Sequence, residues 1–468
     1  MFSQLTFWRI LGVSSLLISI AHADTAPLNT TAAPQGTTPA IPAVAGTPKD
    51  DPAENSLPFL SGLLDQNEMI APASTNAPDP KKYILPATPA TSQWGVFDSS
   101  LKPVLNINSG DTVVIETMAA SDNQVVPGAT IDQIVKIQNA VPGRGPHTVT
   151  GPIYVNGAEA GDVLKIHFNK IVPRAYASNN TATGKGLFPE VFHNPHVRYY
   201  YLDVKNKKMQ FLPGIVVPLA PFPGIVAVAR AIPGKYDSIP PGQYGGNMDL
   251  REMTEGTTLY LPVFTKGAYL WTGDSHAGQG NGEINLTAIE TAFQEFNITI
   301  DVIKQKPLTW PRVETPTACI AVGYDKDLNK ALDILKEETV KLIIEQRKVT
   351  AEDAKKIMYD TWNCPIAEVV NGISGVYCMV PKQPTVKAKP LPSQDTDKLY
   401  VTYSIDADLM KAMKGASMTM LQEISNGSKI SMEDAYVLAS FAMDCRIAPH
   451  QSGDKKVVCM VAKDMWTN

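Results

Sequence analysis

The segment Asp162–Lys170 (DVLKIHFNK) alternates apolar and polar side chains, which predicts a strand with one buried face. Leu164, Ile166 and Phe168 fall on one side of this strand, and the polar residues between them fall on the other. Similar short runs, bounded by Gly and Pro, recur at 111–117, 257–264 and 297–303. We therefore predict an α+β fold in which residues 57–320 form a predominantly antiparallel β body.

The composition excludes several classes of protein. The 468 residues carry a formal net charge of −5, and 19% of them are charged. Proteins that bind nucleic acids show a basic stripe and a high pI, so we expect no nucleic-acid partner. A content of 44% hydrophobic residues excludes a collagen, a coiled coil and a wholly disordered chain. At about 150 residues per domain, the length allows about three domains.

The segment 1–23 has the features of a secretory signal peptide. Arg9 is its only charged residue, the apolar run Ile10–Ile20 follows it, and Ala21-His22-Ala23 fits the small-x-small cleavage rule. The apolar run is shorter than the ~18 residues of a membrane anchor. We predict cleavage before Asp24, export to the periplasm or the extracellular space, and no membrane span in the cleaved protein. The segment 24–56, rich in Pro, Ala and Thr, is predicted to be a disordered leader.

The C-terminal third of the chain matches itself at a constant offset. In each copy a hydroxyl residue, Thr350 or Ser431, precedes an Asp by three positions, which predicts the start of a capped helix. The matched stretches are 325–331 with 406–412, 352–354 with 433–435, and 378–382 with 459–463. We predict a duplicated C-terminal helical module, with copies at 321–382 and 402–468 joined by an exposed linker at 383–401.

Four of the five cysteines lie in the two copies with the same spacing. In an exported protein this spacing favours the disulfides Cys364–Cys378 and Cys445–Cys459. Buried free thiols and cross-pairing between the copies are the alternatives, because four cysteines allow three connectivities. Cys319 has no counterpart in either copy and is predicted to be a buried thiol.

A glycine-rich segment of the body brings together groups that can bind a metal or transfer a proton. In Gly273–Glu283 (GDSHAGQGNGE), Asp274 and His276 lie two positions apart, so an extended backbone directs both side chains to one face. The glycines that follow let the chain fold back and bring Glu283 to the same point. One His and two carboxylates around a centre are typical of a hydrolytic zinc or other divalent-metal site. An ordinary glycine-rich turn is the alternative.

Four motifs occur in a fixed order along the body. They are HTVTGPIYVNGAEAGD at 147–162, PFPG at 221–224, GGNMD at 245–249, and GDSHAGQGNGE at 273–283, which is followed by TAIE at 287–290. In this order they resemble the motifs of the acetamidase/formamidase family of amide hydrolases. The resemblance extends over about residues 100–320.

The resemblance implies a β-rich hydrolase that converts a small amide, such as formamide or acetamide, to the carboxylate and ammonia. It also implies a divalent metal, zinc in the first place and calcium as an alternative, and we expect a homo-oligomer. The residues brought forward as metal ligands are His147, Asn247, Asp274 and His276. Those assigned to catalysis are Glu116, Asp249 and Glu283, and those assigned to substrate binding are Gln279 and Asn281. A structural role is the alternative for each of them.

One position departs from the family pattern. Asn281 stands where the family motif has Asp, which removes a negative charge from the loop. A member that has lost catalysis and binds a small molecule, a metal or a protein is therefore a rival hypothesis. A nitrilase-like amidase with Cys319 as its nucleophile is a second rival, but nothing in the sequence places a Glu and a Lys beside that thiol.

Overall fold

Two large β-sheets share one hydrophobic core in the computed structural model, which describes residues 79–449 and 451–467. The predicted signal peptide and leader lie outside the described residues. Mostly β structure with few helices is what the sequence predicts, and the strand that contains residues 163–170 buries Leu164, Ile166 and Phe168 as expected.

The first sheet has eight strands, and all its neighbouring strands are antiparallel except the first two. In spatial order the strands are β1 (Lys82–Leu85), β5 (Thr112–Ile115), β19 (Phe293–Ile303), β7 (Val163–Pro173), β16 (Thr258–Pro262), β20 (Arg312–Glu314), β21 (Ala318–Asp325) and β23 (Ser374–Pro381). The predicted boundary after residue 320 falls within β21. Strands from the predicted first helical module therefore complete one edge of the body sheet.

The second sheet carries the site described below. Its main path is β11 (Ile215–Pro218), β10 (Lys208–Leu212), β9 (His196–Asp203), β8 (Tyr176–Thr181), β18 (Glu290–Thr291), β17 (Leu270–His276), β12 (Phe222–Ala227), β15 (Gly245–Asn247) and β14 (Pro241–Gly242). A branch from β17 adds β6 (Thr148–Asn156), β2 (Ser92–Trp94) and β4 (Leu105–Asn108), and a separate ribbon pairs β3 (Val96–Asp98) with β13 (Lys235–Asp237).

The C-terminal part contains a four-stranded sheet and the long helices. The sheet is β22 (Cys364–Pro365), β25 (Asp444–Ile447), β26 (Lys455–Ala462) and β24 (Leu399–Asp406). The helices are α3 (Leu328–Arg347), α4 (Ala351–Asp360), α5 (Leu409–Ser428) and α6 (Met432–Ala442), after α1 (Ala120–Asn123) and α2 (Ile131–Asn139) in the body, and a 3₁₀ turn covers Lys463–Met465. The starting residues of β21, α3, α4 and β23 precede those of β24, α5, α6 and β26 by 81 positions each.

Local chemistry explains why the helices begin where they do. The hydroxyl of Thr350 accepts a hydrogen bond from the Asp353 N–H at 3.2 Å, and that of Ser431 accepts one from the Asp434 N–H at 3.0 Å. Each hydroxyl satisfies a donor that the first helical turn leaves without a partner. Both predicted helix starts are confirmed. Among the described residues, no helix has the length and apolarity needed to cross a membrane.

The cysteines are paired within each copy. The structure contains the disulfides Cys364–Cys378 and Cys445–Cys459, and Cys319 is a half-buried free thiol. Cys445 and Cys459 face each other directly on the antiparallel strands β25 and β26. The predicted pairing agrees with the structure, and the alternative of cross-pairing does not.

Candidate active site

A buried histidine lies at the centre of the candidate site. The Nε2 atom of His276 lies 3.3 Å from Oδ2 of Asp274 and 3.4 Å from Oε1 of Glu290. Its Nδ1 atom lies 3.9 Å from Oδ1 of Asp249, and Oε1 of Glu283 is 4.0 Å from Nε2. Sequence spacing predicted that Asp274, His276 and Glu283 come together, and the structure brings them together.

Strand pairing positions this histidine. His276 is the last residue of β17, and its register partners are Phe222 on β12 and Glu290 on β18. The Phe222 ring packs edge-on against the imidazole at 5.1 Å between centroids. Since both neighbouring strands are hydrogen-bonded to β17, the position of the ring is set on both sides by the sheet.

Three of the acidic residues have an unusual backbone conformation. Asp249, Asp274 and Glu283 have φ angles of 46°, 49° and 50°. This left-handed region costs an L-residue with a side chain roughly 1–2 kcal/mol, and such residues cluster at functional sites. Backbone strain at three acidic residues that surround one histidine indicates that the surrounding structure holds their side chains in place for a function.

Burial and neighbouring charges shift the pKa values of this cluster. Burial raises the pKa of Asp249 and of Glu283 well above the usual carboxyl range, and nearby carboxylates raise both further. Burial also opposes ionisation of Asp274, but the His147 and His276 rings outweigh it and lower its pKa to about 2. The pKa of His276 is raised well above its ordinary value, because Glu290 and Asp274 outweigh the effect of burial.

The polar atoms of the cluster fit a divalent metal. Within the described residues, both ring nitrogens of His276 and Oδ1 of Asp249 are buried without a hydrogen-bond partner. Leaving such atoms without a partner costs about 1–3 kcal/mol each, so a ligand that binds them is expected. Two sets of three residues have ligand atoms within 4.8 Å of one another: Asp249, Asp274 and His276, and His276, Glu283 and Glu290.

Gly224 keeps the space between these ligand atoms open. A methyl group at this position of β12 would lie 2.5 Å from Oδ2 of Asp274 and 2.8 Å from Oδ1 of Asp249. Real side chains essentially never approach oxygen atoms so closely. The glycine of the PFPG motif is therefore part of the site, although sequence reasoning did not assign it a role there.

Two further predicted ligands lie in the wall of the site. Oδ1 of buried Asn247, at the end of β15, has no hydrogen-bond partner among the described residues. Nε2 of His147 lies 3.9 Å from Oδ1 of Asp274, and its Nδ1 lies 3.1 Å from the Ser238 hydroxyl. Asn247 is thus available as a ligand, whereas His147 contacts the cluster through Asp274.

Other predicted residues lie outside the cavity wall. Glu116 follows β5, and its main-chain carbonyl accepts a hydrogen bond from the Thr150 hydroxyl at 2.9 Å, but its carboxylate does not line the cavity. The Gln279 side chain donates to the main-chain carbonyl of Asp249 at 3.1 Å. Asn281 is also bonded to main-chain groups. Neither residue lines the cavity, and Oε1 of Gln279 has no hydrogen-bond partner among the described residues, so their substrate contacts stay a prediction.

The loop that carries Glu283 is held by contacts with both C-terminal segments, 321–382 and 402–468. The N–H of Gly280 donates to the Ser440 carbonyl at 2.8 Å, and that of Asn281 donates to the Met443 carbonyl at 2.7 Å. Through its side chain, Asn281 donates to the Ile366 carbonyl at 2.6 Å and accepts from the Cys445 N–H at 3.0 Å. The sequence around Asn281 contains no signal for these contacts, because every partner belongs to a distant part of the chain.

Several residues of the site were missed by sequence reasoning. Glu290, the last residue of the TAIE stretch, contacts His276 directly. From the loop between β22 and β23, Asn371 donates to Oδ2 of Asp249 at 2.6 Å. In the same loop Glu368 is fully buried, which raises its pKa to about 8 although two backbone N–H groups favour the ionised form. The motif could have indicated Glu290, but no local pattern marks Asn371 or Glu368.

A cavity of about 430 Å³ opens onto this cluster. Asn247, Asp274, Glu283 and Glu290 line it, together with Asn371. Cys319 lines a different cavity, and burial together with Glu314 raises the pKa of its thiol. Glu314 and Lys382 both lie beside this thiol and pair with each other at 2.6 Å, but a thiol with a raised pKa is a poor nucleophile at neutral pH.

Comparisons with known proteins agree with this picture. A model of the "Acetamidase/Formamidase family" matches residues 90–236 and 231–320. An acetamidase from Mycolicibacterium smegmatis is 23% identical over 278 residues, which cover 47% of this chain and 67% of the relative. A formamidase from Methylophilus methylotrophus is 29% identical over 234 residues, 36% of this chain and 57% of the relative. The chain thus spans 57% to 67% of the length of these two curated relatives.

A solved structure extends the similarity to the fold. The crystal structure of a predicted acetamidase/formamidase from Thermoanaerobacter tengcongensis superposes with a TM-score of 0.58 at 29% sequence identity. The alignment covers 64% of this chain and 96% of that protein. Nearly the whole of that protein therefore has a counterpart here, and about a third of this chain lies outside the match.

Proposed function

Because the chain belongs to the acetamidase/formamidase family, we propose that it hydrolyses the C–N bond of a small aliphatic amide, such as formamide or acetamide, to carboxylate and ammonia. The observation that carries the proposal is the group of buried carboxylates around His276 at the base of a cavity. Such a group can bind a metal, hold a proton and exclude bulk water, which are the requirements of amide hydrolysis.

A divalent metal is part of this proposal. Asp249, Asp274 and His276 would hold it, since they form one set of neighbouring ligand atoms, and Glu290 and Glu283 form the other set with the same histidine. When bound, the metal supplies Lewis acidity that polarises the amide carbonyl and activates water. Calcium prefers a shell of oxygen ligands, whereas zinc readily accepts imidazole nitrogen. The central position of His276 therefore favours zinc over calcium.

The chain's own residues supply the remaining steps. Asp274 stays ionised, as its pKa of about 2 requires, and offers a carboxylate ligand at neutral pH. Glu283 lines the cavity, and its raised pKa allows it to hold a proton and pass it to the nitrogen of the departing ammonia. Asn371 donates to Asp249 and so orients that carboxylate toward His276.

The rival hypothesis of an impaired family member that only binds a ligand loses its main support. It rested on Asn281 as a missing charge in the site and on the added second C-terminal module. Since the Asn281 side chain forms hydrogen bonds with the main chain at Ile366 and Cys445, its amide has a structural role. The second rival, with Cys319 as nucleophile, predicts that Cys319→Ser abolishes activity, and we expect this variant to retain it.

Three broader features complete the proposal. We infer that the segments 321–382 and 402–468 arose by duplication of one module, because their element starts share one constant offset and each carries one disulfide.

The disulfides agree with an exported protein, periplasmic or extracellular, since disulfides persist in oxidising compartments. A homo-oligomer is the proposed assembly.

Ammonia release from a panel of short amides tests the proposal. We expect release from the purified protein, loss on chelation, recovery on adding zinc, and loss in His276→Ala. The exposed His193 provides a matched control, and His193→Ala should behave as the parent protein. A correctly folded, metal-loaded protein that is inert on every amide of the panel would overturn the proposed activity.

A further inference from the structure

The cavity above the candidate active site is larger than formamide or acetamide requires. Its volume of about 430 Å³ lies within the roughly 300–1,000 Å³ that is usual for sites of drug-sized ligands. Formamide and acetamide have only three and four non-hydrogen atoms, so most of the cavity would remain filled with water. The dimensions therefore favour an amide with a larger acyl group.

Apolar side chains form part of the cavity lining. Ala119, Val125, Ile239, Leu286 and Val370 line it, beside polar residues such as Ser178, Asn180 and Thr287. Burying apolar ligand surface against such side chains contributes about 25 cal/mol per Å². Neither formamide nor acetamide has enough hydrocarbon to use these walls, whereas an amide with a longer hydrocarbon chain does.

The rim of the cavity is positively charged. Arg144 and Lys185 line the cavity and are exposed to solvent, while the side chains of the acidic residues Asp274 and Glu283 at its other end are buried. In the part of the chain that the structure describes, neither cationic group has an ion pair or a side-chain hydrogen bond. The guanidinium of Arg144 packs over the Trp94 ring at 5.6 Å, which holds it at the rim.

We propose that the substrate is an amide whose apolar acyl chain, longer than acetyl, ends in an anionic group such as a carboxylate. The anion lies at the Arg144 and Lys185 rim, the hydrocarbon contacts the apolar walls, and the amide reaches the His276 cluster. The two rim cations attract the anionic end, so the cavity favours the orientation that brings the amide to the cluster. This inference rests on the proposed amidase function and names its substrate class.

A matched pair of amides tests the inference. Hexanamide and the monoamide of adipic acid have the same six-carbon acyl chain, and only the second ends in a carboxylate. We expect kcat/KM for ammonia release to rise from acetamide to hexanamide, and to rise about tenfold more for the adipic monoamide, as two exposed ion pairs allow. Added salt should reduce the second increase and leave the first unchanged.

Variants of the rim separate charge from chain length. Arg144→Gln and Lys185→Gln together should lower kcat/KM for the adipic monoamide to the value for hexanamide. Lys235→Gln is the matched control, because Lys235 is exposed and does not line the cavity. Equal kcat/KM for all three amides, or a preference for the monoamide that survives in the double variant, would overturn the inference while the amidase function stands. An absence of ammonia from every amide would overturn both.

Discussion

The side-chain amide of Asn281 donates a hydrogen bond to the main-chain carbonyl of Ile366 across 2.6 Å. The same side chain accepts a hydrogen bond from the Cys445 N–H, so one residue connects the Glu283 loop to both C-terminal segments, 321–382 and 402–468. An ionised aspartate could not make both bonds, because its carboxylate has no N–H or O–H to donate to Ile366. The residue that looked like a lost charge is a buried structural link.

We therefore expect Asn281→Asp to lower stability and activity. A buried carboxylate facing a carbonyl oxygen leaves both acceptors without a donor, which costs about 1–3 kcal/mol or more. The loop that carries Glu283 should loosen, and ammonia release should fall with the midpoint of thermal unfolding. Circular dichroism and an ammonia assay on the same preparation measure both quantities.

The same chemical change at an exposed position provides the control for Asn281→Asp. Asn194 is exposed, so Asn194→Asp should alter neither quantity. If Asn281→Asp raised ammonia release and left the unfolding midpoint unchanged, a missing charge would be the better account of this position.

Gly280→Ala should disrupt the packing of the Glu283 loop against the end of α6, because the added methyl group overlaps main-chain atoms there. A methyl group there would overlap the main-chain carbonyl of Ala439 and lie 2.8 Å from the Met443 nitrogen. Overpacking of this kind costs about 1–3 kcal/mol. We expect a lower unfolding midpoint and weaker ammonia release, whereas Gly234→Ala, with no atom closer than 3.5 Å, should be neutral. Parent-like unfolding of Gly280→Ala would show that α6 does not hold the loop.

Substitution by Gln should lower kcat at Glu283 and metal affinity at Glu290. Loss of a proton-transfer group costs about 10²–10⁴ in rate, so Glu283→Gln should lower kcat by that order with its metal content unchanged. Glu290→Gln should instead lower the affinity for the metal, by about 10–100-fold as for the supporting residues of metal sites. Metal analysis beside kinetics distinguishes the two effects, and the reverse pattern would exchange the assigned roles.

The two disulfides should be detectable as four protected cysteines. Alkylation of the unfolded protein without reductant should label Cys319 alone, and reductant should expose all five thiols. Each disulfide closes a loop of about 15 residues and contributes about 3 kcal/mol in the chain-entropy model. Cys445→Ser with Cys459→Ser should therefore lower the unfolding midpoint. Labelling of three or five cysteines without reductant would contradict the pairing.

Local patterns predicted much of the fold because their causes are local. Alternation over positions 162–170 marks a strand, since one face of a half-buried strand must be apolar. Thr350 and Ser431 mark helix starts, since their hydroxyls satisfy N–H groups three positions along the chain. The spacing of Asp274 and His276 likewise placed their side chains together, although Asp274 has a φ of 49° and not the extended backbone that the prediction assumed.

The sequence by itself thus determined the β-rich class, the helix starts and the centre of the candidate site, and it favoured the cysteine pairs that the structure contains. Tertiary structure decided which distant groups complete that site. Glu290 meets His276 through the register of β17 and β18, and Asn371 reaches Asp249 from a loop far along the chain. The interpretation of Asn281 also changed, because its hydrogen-bond partners Ile366 and Cys445 are distant in the sequence. Long-range pairing depends on how whole sheets and helices bury their faces together, and no short segment carries that information.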